Sequence, residues 1–145
     1  MLASRPFLLR ALYEWVLENQ MTPHIVVDAE CPGVRVPRQF VQEGQITLNV
    51  APSAVQGLQM TNADVTFSAR FGGVPMQVVV PIAAVLAIYA RENGQGMGFG
   101  FEPGAEELDA IAAGREAGEG VAEDDGDEQP DPTPPKGRAK LKVVK

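Results

Sequence analysis

His24, Asp28, Glu30 and Cys31 fall within eight consecutive positions and form the densest group of side chains able to move a proton or hold a cation. Asp28 and Glu30 share a strand face if the strand through Ile25-Val26-Val27 continues, and paired carboxylates do acid–base work or bind a cation. The following Cys31-Pro32-Gly33 gives the same pair a plainer reading, a solvated strand rim. A small acid–base enzyme built on His24, Asp28 and Glu30 is one rival reading of the chain. Cys31 and His24 are the single Cys and the single His. One Cys excludes an intramolecular disulfide and a multi-Cys metal site, and one His leaves little for zinc or a His-based catalytic array. No metal and no cofactor are expected. Gly94, Gly96, Gly98 and Gly100 alternate with Met97, Phe99 and Phe101, but they enter no helix and lack the Lys-Ser/Thr ending of a phosphate loop. Arg70 is a lone charge in an apolar strand pair. It reads either as a solvent-facing strand residue or as a fork for a peptide carboxylate or carbonyl.

The elements that must position these residues begin with a helix. Pro6 to about Asn19 has helical spacing, with Pro6 tolerated in the first turn. Leu8, Leu12, Trp15 and Val16 fall on one side; Phe7, Leu9, Ala11 and Tyr13 add apolar surface on others. Asn19 is expected to end the helix in a left-handed conformation before Thr22-Pro23. One face can bury on the domain, which leaves Phe7, Tyr13 and Trp15 for a second copy of the chain. After Pro23 the pattern becomes strand-like. Ile46, Leu48 and Val50 alternate after a Glu43-Gly44 turn. Val65, Phe67, Ala69 and Phe71 share one face of the segment 64–71, and Gly72-Gly73 turns it back into 76–80 as a hairpin. Pro81 opens a short helix at 82–86, Ile88 to Ala90 resumes extended structure, and the glycine alternation reads as a light edge strand. The fold class is therefore mainly β (α+β): a helix, then a small β-barrel or sandwich.

Charge divides the chain further. The total is -7 with a pI near 4.7, which argues against binding a nucleic-acid backbone. Residues 1–101 hold six basic and seven acidic side chains; 102–135 hold one and twelve; 136–145 hold five and none. All nine aromatics lie at or before Phe101, so the core must come from the first hundred residues. The Gly-, Pro- and acid-rich stretch cannot offset the entropy of ordering and is expected to be a disordered linker, with a short helix at 105–113 a weak option. The chain then closes on Ala139-Lys-Leu-Lys-Val-Val-Lys145, a basic-aliphatic segment with the look of a linear binding motif. No run of ~18 apolar residues suggests a membrane span, and the first ten residues lack a signal-peptide core. A cytoplasmic protein without membrane partners is the expectation.

Several runs carry a resemblance. Arg5-Pro-Phe-Leu-Leu-Arg-Ala-Leu-Tyr-Glu-Trp15, Thr22-Pro-His-Ile-Val-Val-Asp28, Asp64-Val-Thr-Phe-Ser-Ala-Arg-Phe-Gly-Gly73, Ala87-Ile-Tyr-Ala-Arg-Glu-Asn-Gly94, Phe101-Glu-Pro103 and Leu141-Lys-Val-Val-Lys145 together resemble the stringent starvation protein B family. These are bacterial adaptors for the ClpXP protease that bind the tag appended to stalled nascent chains. The resemblance implies an Sm-like small barrel over residues 1–103, with dimerisation through the first helix, here Phe7, Leu8, Ala11, Leu12 and Trp15. It implies a peptide groove at Phe67, Ser68, Ala69, Arg70, Phe71, Gly72 and Gly73, with Val50 and Ala51 as neighbours. It also implies that Leu141, Val143, Val144 and Lys145, within the segment 139–145, dock on the N-terminal domain of the ClpX unfoldase. The linker 104–138 then serves as a tether of about 35 residues spanning roughly 30–35 Å. An Sm-like RNA-binding module is the alternative that the fold alone would allow; six scattered basic residues in the core argue against it.

Overall fold

The computed structural model describes residues 2–110. Helix α1 (Arg5–Glu18) is followed by β1 (Pro23–Asp28), β2 (Gln45–Asn49), β3 (Gln56–Met60), β4 (Asp64–Phe71), β5 (Val74–Pro81), β6 (Val85–Ala90) and β7 (Gly96–Gly98). Short 3-10 helices at Arg38–Phe40 and Ile82–Ala84 separate some of them. The strands form two antiparallel sheets, β2-β1-β6-β7 and β3-β4-β5. The mainly β architecture read from the alternation is what the chain adopts.

The alternation works because one face of each sheet is buried. Ile25, Val27, Ile46, Leu48 and Ile88 of the first sheet and Val65, Phe67, Val78 and Val80 of the second meet in one core. Each such side chain contributes about 1.5–3 kcal/mol on burial. The hairpin of β4 and β5 runs in unbroken register from Asp64↔Pro81 to Phe71↔Val74. Its two-residue turn has φ 61° at Gly72 and 84° at Gly73, the left-handed pair that matches the twist of a hairpin and that glycine supplies without strain. Gly96 serves a different need: a Cβ there would lie 2.0 Å from the Ile88 carbonyl oxygen and 2.5 Å from the Tyr89 Cα, so β7 can pair closely with β6 only as glycine.

Helix α1 differs from expectation in its faces. Leu9 and Val16 are its deeply buried apolar residues, Leu8, Leu12 and Tyr13 are half-buried, and Phe7, Ala11 and Trp15 are exposed. The buried stripe thus runs through Leu9, and the i, i+4, i+8 row of Phe7, Ala11 and Trp15 faces outward. Asn19 is not left-handed (φ -90°); the positive φ falls one residue on, at Gln20 (60°). Asn19 instead caps the helix, its side-chain amide donating to the Trp15 carbonyl at 2.8 Å.

A buried ion pair clamps the two ends of the described chain together. Arg5 Nε donates to Glu102 Oε2 at 2.6 Å, with side chains 5% and 0% exposed. Arg5 Nη1 also donates to the Val85 carbonyl at 3.1 Å, and its guanidinium lies 5.4 Å from the Phe99 ring centroid. Glu102 Oε1 accepts from the Gly100 N–H at 2.6 Å. Ser4 donates to the Pro103 carbonyl from both its N–H and its hydroxyl. Composition grouped Glu102 with the acidic stretch, yet it belongs to the folded body. Packing also continues past residue 103, the end of the folded domain that the resemblance implied. Residues 105–110 are helical, and Ala105 and Leu108 are buried. The linker from 111 and the segment 139–145 lie outside the described residues.

Candidate functional site: a groove at the tip of the β4–β5 hairpin

The base and the tip of the hairpin follow different rules. Val65 and Phe67 are 0% and 1% exposed, so Phe67 is a core residue and offers no surface to a ligand. Val50 (0%) and Ala51 (8%) are buried as well. These three expected groove residues are buried and line neither of the cavities at the tip. Beyond Phe67 the sheet runs out of core to cover. Ser68, Ala69 and Phe71 become half-buried, and Arg70, Gly72 and Gly73 are exposed.

Two cavities flank this tip. One, of about 410 Å³, is bordered by Ser53, Ala54 and Gln56 on one side and by Ser68, Ala69 and Arg70 on the other. The second, of about 610 Å³, lies between the tip residues Arg70, Phe71 and Gly72 and the outer edge of β2, with Phe40 and Gln42 at its rim. Ser68 to Gly72 thus all border a cavity, and Gly73 does not. Arg70 borders both and is the junction between them. Its Nη1 donates to the Gly73 carbonyl at 3.1 Å, and no carboxylate pairs with it among the described residues. Apolar surface is supplied by Phe71 and by Phe40, 48% exposed, with ring centroids 6.1 Å apart. Ser68 Oγ bonds Gln77 Oε1 at 3.0 Å across the hairpin and adds a polar rim. Small Ala69 leaves room for a peptide main chain to approach, and Arg70 can accept a carboxylate in a bidentate fork. Extended peptide fits this mixture of open main chain, apolar wells and one cation.

The second cavity was not legible in advance. Phe40, Gln42 and β2 come from the other sheet, and only the tertiary fold brings them to the hairpin tip. β3 was also missed: Gln56-Gly-Leu-Gln-Met60 shows no alternation, and its pairing with β4 shifts register between Gln56 and Gln59.

The rival acid–base group does not assemble. His24 and Asp28 sit four residues apart on β1, about 13 Å along the strand. Asp28 Oδ1 accepts the Glu30 N–H at 3.0 Å, an Asx turn, and Glu30 pairs with Arg38 at 3.5 Å. His24 stacks at a tilt on Tyr89, centroids 5.7 Å apart, and its Nε2 is buried without a hydrogen bond. Burial, then the nearby Arg91, pushes its pKa below the usual histidine value, partly countered by Glu92. Among the described residues no group of three or more His, Cys, Asp or Glu side chains is placed to hold a metal. No helix among them is long and apolar enough to cross a membrane.

Fold and site together define a helix-capped, two-sheet β protein with two adjoining cavities at a hairpin tip. Residues 3–145 match the family described as "Stringent starvation protein B". The chain is also 50% identical over 105 residues to the "Stringent starvation protein B homolog" of Haemophilus influenzae, covering 72% of this chain and 70% of that one. The chain belongs to the stringent starvation protein B family.

Proposed function

We propose that the protein is a delivery adaptor: it grips the degradation tag of ribosome-rescued polypeptides and tethers them to the ClpXP protease, with no chemistry of its own. Family membership suggests an adaptor role of this type. The observation that carries the finer reading is the cleft around Ser68–Gly72, where Arg70, with no carboxylate partner among the described residues, joins two cavities beside exposed main chain. Ala69 takes the close approach of the tag, Phe71 packs on it, and Arg70 holds a carboxylate or carbonyl. Leu141, Val143, Val144 and Lys145 dock on the ClpX N-terminal domain, with the linker as the tether. Tethering raises the effective concentration of tag and unfoldase toward the millimolar range, so two weak contacts act as one strong one. The exposed row of Phe7, Ala11 and Trp15, with half-buried Leu8 and Leu12 beside it, is the homodimer face, giving two grooves and two tails.

Ala69→Gln tests the groove. A labelled tag peptide, followed by fluorescence anisotropy, should bind the variant at least about tenfold more weakly, a loss of ~1.4 kcal/mol. Unchanged affinity would move the site away from Ala69.

A further inference from the structure

We infer that the larger cavity is a strand-addition site, in which the client peptide pairs with the open edge of β2 at Thr47 and Asn49; this rests on the peptide-binding reading above. Among the described residues β2 is the terminal strand of its sheet and has β1 as its one neighbouring strand. Its hydrogen-bonding parity is fixed at both ends: the Ala29 N–H donates to the Gly44 carbonyl at 2.8 Å, and the Val50 N–H to the Pro23 carbonyl at 3.0 Å. In an antiparallel pair such residues alternate. Ile46 and Leu48 therefore turn their main-chain groups toward β1, and Gln45, Thr47 and Asn49 turn theirs away.

Gln45 is already satisfied. It exchanges two main-chain bonds with Gln42, at 2.8 and 3.0 Å, across the Glu43-Gly44 turn. That ladder stops after one bridge, because the preceding residues Arg38–Phe40 turn into a 3-10 helix. Thr47 and Asn49 are exposed, border the larger cavity, and have no main-chain partner on this outer side among the described residues. Two donor–acceptor sets two residues apart, about 6.8 Å, match the repeat of an extended peptide.

The occupant is identified by three features. The open edge demands main chain in strand form, since an unpaired edge is a template for another strand. Among the described residues Arg70 is the one charged residue bordering this cavity, so the segment carries a carboxylate near it. Arg70 also borders the smaller cavity, so one peptide can pass from Ala69 across the tip to β2. β2 would thus read the stretch of peptide next to the part held at Ala69.

Amide hydrogen exchange of the full chain, followed by NMR with and without saturating degradation-tag peptide, tests this. Binding should slow exchange at Thr47 and Asn49 by at least about tenfold, as new main-chain hydrogen bonds do. Ile46 and Leu48, already bonded to β1, should change little. Thr47→Pro removes one outward donor and no β1 bond, and should weaken the peptide about fivefold. Saturable binding with unchanged Thr47 and Asn49 exchange and full affinity in Thr47→Pro would overturn the strand-addition site and leave the adaptor reading standing. Absence of peptide binding to the unaltered chain would overturn both.

Discussion

Arg5 and Arg70 are the same residue type put to opposite uses. Arg5 is sealed at the start of α1, paired with Glu102 and bonded to backbone carbonyls, over the Phe99 ring. Arg70 stands at an exposed hairpin tip, bonded only to Gly73 of its own turn among the described residues. A buried arginine must have every donor answered, because a charge out of water without partners is costly. An exposed one can keep donors free at no such cost. The Arg5 pair is therefore built for integrity, while Arg70 keeps donors open to whatever reaches the hairpin tip, which in the proposed function is a ligand.

The contrast can be broken at either end. Glu102→Ala leaves the Arg5 charge buried and unpaired, which costs about 3–5 kcal/mol. Thermal melting should fall by at least about 10 °C for a domain of this size. A smaller effect, within ordinary surface scatter, would mean that water reaches Arg5. Arg70→Ala should do the reverse: melting shifts by no more than about 0.5 kcal/mol equivalent, and tag affinity drops about tenfold, as for a lost bond to a charged group. Equal loss of stability and affinity would show that Arg70 holds the hairpin rather than the ligand.

The smallest expected effect sharpens the comparison through a third polar site. The His24 pKa is lowered in the fold, chiefly by burial, so folding favours the neutral ring. Its stability contribution is present above the unfolded value of about 6.5 and is lost as pH falls below it. The melting temperature should decline slightly between pH 7.5 and 5, and His24→Gln should flatten that decline. Glu92 does not confuse the reading. Bonds from the Thr22 N–H and hydroxyl hold its carboxyl at about 2 against 4.5, so its contribution is lost only as pH falls from the unfolded value toward 2. An identical pH profile in His24→Gln would remove His24 from the acid response.

What the sequence showed and hid follows the same division. The β4–β5 hairpin was legible because alternation and a Gly-Gly turn are local signals, and the core on its inner face confirms them at Val65, Phe67, Val78 and Val80. Alternation alone does not say where along a strand the core ends. Phe67 and Ala69 share a parity, yet the first is core and the second borders a cavity. In α1, apolar residues lie on several sides, so spacing could not decide that Leu9 rather than Trp15 is buried. The Arg5–Glu102 pair joins residues 97 apart, and the β2 wall of the larger cavity comes from another sheet. Neither leaves a local pattern. Family resemblance pointed to the tip, and geometry separated its buried residues from those that border a cavity.

The central claim is that grip and delivery are separate functions of one chain. The most direct measurement is the rate at which ClpXP degrades a tagged substrate at low concentration, with the full chain and with a truncation to residues 1–138. The full chain should accelerate degradation, and the truncation should not, although it still binds the tag peptide with unchanged affinity. Full acceleration by the truncated protein would contradict the tether and with it the division of labour proposed here.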